Sequence, residues 1–195
     1  MKKKKIIIKE LNNATNWIVY HASTGNGKGL QLNTTAATDT DSTFWNSTTP
    51  TSSVFSLGSN GNVNGSSDNY IAYCFADKTG YSKFGSFIGN GNADGTFIYT
   101  GFKPKWFMWK SSTSSGGTDN WNLANSAAQG YNGADAGYLQ ANNSTAEGSF
   151  SGNQIDFLSN GMKIRQASQY HNYNGQTYIY MAIAEEPLVA NVGAS

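Results

Sequence analysis

Two histidines, His21 and His171, are the side chains best suited to acid–base chemistry, because an imidazole changes its charge near neutral pH. His21 follows the apolar run WIVY, and His171 lies in the polar stretch QYHNY. A serine hydrolase would also need a nucleophile elbow of the form Gly-x-Ser-x-Gly, which does not occur in the sequence. We therefore interpret both histidines as packing or surface residues and assign no catalytic residue.

Pairs of carboxylates could instead perform glycoside hydrolysis, which needs two of them facing each other about 5–10 Å apart. Most acids lie beside turn-forming residues: Asp39, Asp41, Asp68, Asp94, Asp119 and Asp135. Only Asp77 and Glu185 occupy comparable places, each directly after a long apolar run. An internal repeat explains that correspondence better than a catalytic pair does, so a hydrolase ranks third among the functions considered.

The segment 90–95, NGNADG, places oxygen-bearing side chains at alternate positions before a glycine, like the first half of a calcium loop. Such a loop also needs a bidentate glutamate further along the chain, and Gly101 stands at that place. Asn90, Asn92 and Asp94 are therefore weak metal candidates, and a tight β-turn is the preferred interpretation. No cofactor is expected.

The single cysteine, Cys74, excludes an intrachain disulfide. It lies in the apolar run 70–76, which predicts a buried and inert thiol. A structural zinc ion would need several cysteine or histidine ligands, and only the two histidines could join Cys74. A zinc site is therefore not expected.

Aromatic rings are the side chains best suited to binding in this sequence. Five of them in the second half are the binding candidates: Trp106, Trp109, Trp121, Tyr131 and Tyr138. Because side chains alternate between the two faces of a strand, Trp106 shares a face with Met108, and Phe107 shares the other face with Trp109. An exposed pair would form an interface or a platform for stacking sugars, whereas rings covered on both sides would belong to the core. Both interpretations stay open.

The charge balance excludes several classes of protein. Charged residues make up only 13% of the 195 residues, against about 25% in an average domain. The formal net charge is +1 and Arg165 is the only arginine, which argues against a nucleic-acid binder.

Lys2 to Lys5 precede only three isoleucines, too short a run for a signal peptide or a membrane span. The chain is therefore expected to be made in a cytoplasm, with no nucleic-acid partner and no membrane insertion.

Short β-branched and aromatic runs alternate with turn dipeptides such as Asn60-Gly61, Asn64-Gly65 and Asn160-Gly161. These runs predict strands near residues 5–10, 16–22, 29–33, 53–57, 69–76, 83–89, 96–100, 104–110, 120–124, 155–158, 162–165 and 177–184. No segment keeps a helical period for three turns. The pattern predicts an all-β fold, an antiparallel β-sandwich of jelly-roll-like character.

The sequence also repeats itself. Four matches occur in the same order in both halves: Ile8-Lys9 with Trp109-Lys110, Asn16-Trp17 with Asn120-Trp121, Asn33 to Ala36 with Asn143 to Ala146, and the run 70–77 with 178–185. The runs 70–76 and 178–184, which end the two copies of the repeat, are apolar on both faces. This predicts that both form central, buried strands.

The repeat divides the chain into two predicted halves, residues 1–78 and 103–188. The segment 80–101 is predicted as a β-hairpin that joins the halves and pairs with both. Residues 1–188 would then form a single two-lobed β domain, followed by a C-terminal tail, 189–195.

Several segments are specific when they are taken together: YIAYCFAD, GYSKFGSFIGNGNADGTFIYTGFKPKWFMWK, IDFLSNGMKIR and YIYMAIAEEP. They resemble an uncharacterised all-β domain of phage tail-fibre and other virion structural proteins, mainly from marine phages. The opening IIIKELNNATNWIVYH also fits, so the resemblance covers nearly the whole chain. In that family the domain usually ends a longer chain, whereas this sequence begins at Met1 with a lysine run. The family brings no agreed catalytic residues.

The resemblance implies a non-enzymatic surface component of a phage virion, which acts by self-assembly and surface recognition. It would be either a tail-fibre or receptor-binding protein or a head decoration subunit. Its expected partners are sister subunits, in a homotrimer by analogy with phage fibres, other virion proteins and host-surface glycans. The alternative is a free-standing carbohydrate-binding module, which an exposed Trp106 or Trp109 would favour.

Overall fold

The computed structural model describes residues 1–113, 119–129, 137–149, 154–168 and 170–186. Within these ranges the protein has fourteen strands and two single helical turns, α1 (Gly61–Asn64) and α2 (Ser126–Gln129). The strands pair antiparallel and form three sheets. The predicted all-β class and antiparallel β-sandwich are therefore confirmed. No helix in these ranges is long and apolar enough to cross a membrane.

Sheet 1 is built from the first part of the chain. Its strands are β1 (Lys3–Glu10), β2 (Ile18–His21), β3 (Lys28–Gln31), β4 (Asp39–Thr40) and β5 (Tyr70–Ala76), in the order β4-β3-β2-β1-β5. The first three strands are successive neighbours, and β5 returns to the free side of β1, which makes a Greek key. Ile6 and Ile8 of β1 pack on one face of this sheet, and Ile7 packs on the other.

Sheet 2 holds most of the second part of the chain. Its strands are β6 (Ser82–Ile88), β8 (Pro104–Ser111), β9 (Asn122–Asn125), β10 (Gly137–Gln140), β11 (Gly148–Ser149) and β14 (Thr177–Ala184), in the order β11-β10-β9-β8-β14-β6. The strand β14 lies between β8 and β6, with Ile179 facing one core and Tyr178 the other. The prediction of a central, buried strand at 178–184 is confirmed.

Sheet 3 is small. Its strands are β7 (Phe97–Tyr99), β12 (Ile155–Leu158) and β13 (Gly161–Ile164), in the order β12-β13-β7. The hairpin predicted near Asn160-Gly161 is confirmed, because β12 and β13 pair antiparallel with Leu158 opposite Gly161. Gly161 lies so close to the neighbouring strand that a Cβ atom there would stand 2.2 Å from the carbonyl oxygen of Ile98.

The sheets stack in layers with sheet 2 in the middle. One core lies between sheets 1 and 2 and includes Val19, Leu30, Met108, Trp121 and Ile179. A second core lies between sheets 2 and 3 and includes Phe107, Trp109, Ile155, Ile164 and Tyr180. The outer face of sheet 1 is covered by Phe44 and Trp45 of a loop and by Val63 of α1. Central strands are therefore apolar on both faces, as in other sheets that are covered on both sides.

The strand predicted at 53–57 is wrong. The side-chain oxygen of Thr51 accepts hydrogen bonds from the N–H groups of Ser53 and Val54, which bends the chain locally. Phe55 and Leu57 then pack as part of the loop that covers sheet 1.

The dipeptides at 60–61 and 64–65 were predicted as hairpin turns, and this is also wrong. They form the two ends of α1, from the N-cap Asn60 to the C-cap Gly65, and the side chain of Asn60 caps the first turn by accepting from the N–H of Asn62 at 2.9 Å.

The prediction that 70–76 is a central, buried strand is wrong as well. The strand β5 is the outer strand of sheet 1, and most of it is exposed, including Cys74. The predicted burial of that thiol is therefore wrong too. An apolar run looks the same in sequence whether one or both of its edges are paired, so periodicity could not separate the two cases.

The segment 80–101 does not form the predicted hairpin. Its strands β6 and β7 lie in sheets 2 and 3, and each pairs with a strand of the second half rather than with the other. The loop between them crosses from one layer to the next. The tail 189–195 lies outside the described residues.

Candidate functional site

The tryptophans predicted as binding candidates do not form a shared exposed platform. Trp109 and Trp121 are fully buried, in different cores, because sheet 2 is covered on both faces. The Trp109 indole donates to the carbonyl of Tyr170 at 3.3 Å, and the Trp121 indole donates to the carbonyl of Gln31 at 2.8 Å. A sugar platform on these two rings is excluded by their burial.

The other aromatic candidates differ among themselves. Trp106 is partly buried against the core between sheets 1 and 2. Tyr138 is partly buried in β10, and Tyr131 lies outside the described residues. The predicted alternation is confirmed, since Phe107 packs with Trp109 on the face opposite that of Met108.

The oxygen atoms of the 90–95 segment bond within the protein. The Asn90 side-chain oxygen accepts from the amide of Asn172 at 2.6 Å, and the Asn92 oxygen accepts from the N–H of Asp94 at 2.8 Å. The Asp94 carboxylate forms an ion pair with Lys163 at 2.8 Å. In the part of the chain that the structure describes, no group of three or more His, Cys, Asp or Glu could hold a metal ion.

Asn172 holds this loop, and its loss is expected to destabilise the protein. The side chain is fully buried and donates to Asn90 Oδ1 and to the Asn92 carbonyl, while its oxygen accepts from the Asn90 N–H. We expect Asn172→Ala to lower the free energy of unfolding by about 2 kcal/mol. Asn92→Ala is the matched control, since Asn92 is exposed, and should cost less than about 1 kcal/mol. Equal losses in urea unfolding would contradict this role.

Both histidines are buried packing residues. His21 Nδ1 accepts from the N–H of Ser23 at 3.2 Å, so its proton lies on Nε2, which donates to the carbonyl of Tyr180 at 3.1 Å. Burial, with a smaller contribution from Lys5, lowers the pKa of His21 to about 4. Burial also lowers the pKa of His171 to about 4, and its ring lies 5.4 Å from that of Trp109. Both imidazoles are therefore neutral at pH 7.

A polar pocket lies where the chain crosses from sheet 1 to sheet 2. The turn 77–83 forms one wall and the segment 99–102 forms the other. The cavity measures about 250 Å³. This is slightly below the usual volume of drug-sized ligand sites, so the pocket suits a small group such as one sugar ring.

Tight turns shape both walls of the pocket. Lys78 and Ser82 exchange backbone hydrogen bonds of 3.0 and 2.9 Å around Gly80, whose φ is 71°. Gly101, with a φ of 82°, donates its N–H to the carbonyl of Asn160 at 3.2 Å. Both glycines adopt the left-handed region that other residues avoid, so the walls depend on them.

The rim of the pocket combines an aromatic ring with excess positive charge. Tyr99 is 59% exposed, and the Lys83 ammonium lies 5.9 Å from the centre of its ring. The Asp77 carboxylate accepts from a backbone N–H and pairs with Lys4 at 3.3 Å. Because Lys4 compensates Asp77, Lys78 and Lys83 give the rim a net positive charge.

Sequence reasoning missed this pocket because the two walls are about twenty residues apart and belong to different layers. Alternation in Phe97-Ile98-Tyr99 was the available signal. Alternation places Ile98 in the core and the rings of Phe97 and Tyr99 on the surface, which agrees with their burial in the structure.

The comparisons with known proteins give one result. A search of curated proteins and a search of solved structures both found no match. The family model for a domain of unknown function, DUF7483, matches residues 1–187, which is nearly the whole sequence. This chain therefore belongs to the DUF7483 family.

Proposed function

We propose that this chain is a non-enzymatic binding and assembly module on the surface of a phage virion, as a tail-fibre or receptor-binding protein or as a head decoration subunit. The virion part of the proposal depends on the resemblance of the sequence to phage structural domains. The binding part depends on one observation, the open polar pocket beside the exposed ring of Tyr99. Sister subunits, other virion proteins and host-surface glycans are the proposed partners.

The pocket favours an acidic sugar as the ligand. An aromatic ring such as that of Tyr99 offers an apolar face on which a sugar ring can stack. Lys78 and Lys83 could then pair with a carboxylate on that sugar, because neither is needed to balance Asp77. Hydroxyl groups of the sugar would form hydrogen bonds with backbone N–H and C=O groups of the two turns.

The test is binding of the purified chain to an array of neutral and acidic glycans. We expect acidic glycans to bind, and Tyr99→Ala to weaken that binding about tenfold, since the stacking contact is lost. Tyr173→Ala is the matched control, because Tyr173 is similarly exposed but does not line the pocket. Absence of binding to every glycan, or equal losses in both variants, would contradict the proposed sugar site.

A free-standing carbohydrate-binding module is the second candidate, and the same pocket supports it. The two functions differ in where the protein resides. Mass spectrometry of purified phage particles from a culture that carries the gene would detect the chain as a stoichiometric component if it is a virion protein. Its presence only outside the particles would favour the free-standing module.

We also propose that the two halves arose by duplication and that the fold is jelly-roll-like. Each half contributes a Greek key, with the orders β3-β2-β1-β5 and β10-β9-β8-β14. A similar hydrogen bond occurs in both, from the Trp17 N–H to Asn33 Oδ1 at 3.0 Å and from the Trp121 N–H to Asn142 Oδ1 at 2.8 Å, although Asn142 lies one residue before Asn143, which matches Asn33 in the sequence repeat. In each half the asparagine amide also reaches the asparagine that precedes the tryptophan.

A further inference from the structure

The strand β5 has one open edge. Among the described strands it pairs with β1 alone, and its residues from Ile71 to Cys74 are exposed. It is seven residues long and contains no charged side chain and no proline. Proteins usually protect such an edge with charges, prolines or bulges, because an unprotected edge pairs with another strand.

The backbone of β5 is oriented for such pairing. Along an antiparallel pair of strands, opposite residues alternate between pairs that exchange hydrogen bonds and pairs that do not. Leu11 lies opposite Asn69 and donates its N–H to the Asn69 carbonyl at 2.8 Å, so this is a bonded pair. Counting in steps of two from Leu11, Ile7 with Tyr73 is also a bonded pair between β1 and β5. The residues in between, Tyr70, Ala72 and Cys74, therefore direct their N–H and C=O groups away from β1. These groups form a regular row of donors and acceptors along the open edge.

The other Greek key shows what covers this position. The strand β14 occupies the place in sheet 2 that β5 occupies in sheet 1, and β6 pairs with its outer edge over seven residues. No described strand covers β5 in the same way. The side chains beside the open edge are apolar, with Ile71 37% and Tyr73 44% exposed.

We propose that β5 pairs antiparallel with β5 of a second copy of this chain, about a two-fold axis at Ala72. This register sets Tyr70 of each copy opposite Cys74 of the other and uses all three outward-facing residues. The other outer strands match less well: β4 and β11 have two residues each, β7 has three, β12 has four including Asp156, and β6 carries Lys83. A two-fold contact is also self-complementary by construction.

This interface deepens the proposed assembly role and is independent of the sugar pocket. It joins two copies, whereas the analogy with phage fibres implies three. Failure of the glycan array and failure of the pairing would therefore be separate results.

The experiment measures the mass of the full chain by light scattering over a range of concentrations. We expect a dimer, and we expect Ala72→Pro to raise its dissociation constant at least about tenfold. Proline removes an outward N–H that has no partner in β1, so the fold should persist, which circular dichroism and the melting temperature would verify. Leu139→Lys, a change at an exposed residue of β10, is the control and should leave the dimer unchanged.

Cross-linking through Cys74 is a second measurement of the dimer. It is made on the unaltered chain, so it does not depend on a variant that could fail to fold. In this register the two Cys74 residues lie four positions apart along the paired strands, or about 14 Å. A bis-maleimide with an arm of that length should therefore join two chains, and Cys74→Ser should abolish the product. A monomer at all concentrations, a trimer, absence of the Cys74 product, or a dimer that a folded Ala72→Pro variant retains would each overturn the proposal.

Discussion

Replacing Trp121 by alanine is expected to lower the free energy of unfolding by about 3–5 kcal/mol. The indole is fully buried between sheets 1 and 2 and donates to the carbonyl of Gln31 in the opposite sheet. Two ammonium groups lie near its ring, Lys5 at 4.8 Å and Lys110 at 5.8 Å. The substitution would leave a cavity, an unpaired carbonyl and two lysines without their aromatic partner.

Urea unfolding followed by circular dichroism measures this loss. Trp106→Ala is the matched control, because Trp106 borders the same core but is only partly buried, and it should cost less, about 1–2 kcal/mol. The folded Trp121→Ala variant should bind glycans as the unaltered chain does. A small loss of stability together with a loss of sugar binding would instead support a binding role for this ring.

Replacing Lys5 by methionine is expected to stabilise the protein at pH 7 by about 1–4 kcal/mol. Lys5 lies fully buried between the sheets, with its Nζ 3.0 Å from Met108 Sδ, and burial lowers its pKa to about 7. A buried ammonium with so weak an acceptor opposes folding. Methionine has a similar length and no charge, so it keeps the packing and removes that cost.

The pH dependence of stability provides the sharper test of Lys5. Its pKa is 10.5 in the unfolded chain and about 7 in the folded one, so between these values the unfolded chain binds the additional proton. Stability therefore rises with pH through this window, by up to about 1.4 kcal/mol per pH unit. Lys110 acts in the same direction, because burial lowers its pKa to about 8.

Other buried groups set the two ends of the stability curve. The folded pKa values of His21 and His171, about 4, lie below the ordinary 6.5, so stability falls as pH decreases from 6.5 to 4. Burial raises the pKa values of Tyr178 and Tyr180 from 10 to about 12, so stability is lost again above pH 10. We expect maximum stability near pH 10, rather than in the usual range of about 5–8.

Thermal unfolding from pH 4 to 11 measures this curve for the unaltered chain and for Lys5→Met. The variant should have a shallower rise between pH 7 and 10, with the remaining slope due to Lys110. Lys9→Met is a suitable control, since the Lys9 ammonium bonds at the surface to the carbonyl of Asn13 at 3.0 Å. Identical slopes in the unaltered chain and Lys5→Met would show that Lys5 is not buried as described.

The sequence alone determined the local features of this protein. Alternating apolar residues and turn dipeptides predicted most strands, the β12–β13 hairpin at Asn160-Gly161 and the opposite faces of Phe107 and Met108. These predictions succeeded because side-chain alternation and turn conformation depend on only a few neighbouring residues. The failures at 53–57 and 60–65 arose where the side chains of Thr51 and Asn60 bond to the backbone nearby.

Only the tertiary structure decided which surfaces are covered. The runs that became β5 and β14 look alike in sequence, yet β14 acquires a partner on each side, whereas β5 has one among the described strands. Similarly, Trp109 and Trp121 are buried because a sheet packs on each side of sheet 2. The Tyr99 pocket forms where two distant turns meet. Burial and pocket formation depend on contacts between residues far apart in the chain. The apolar pattern of a single segment does not depend on those contacts and therefore cannot predict them.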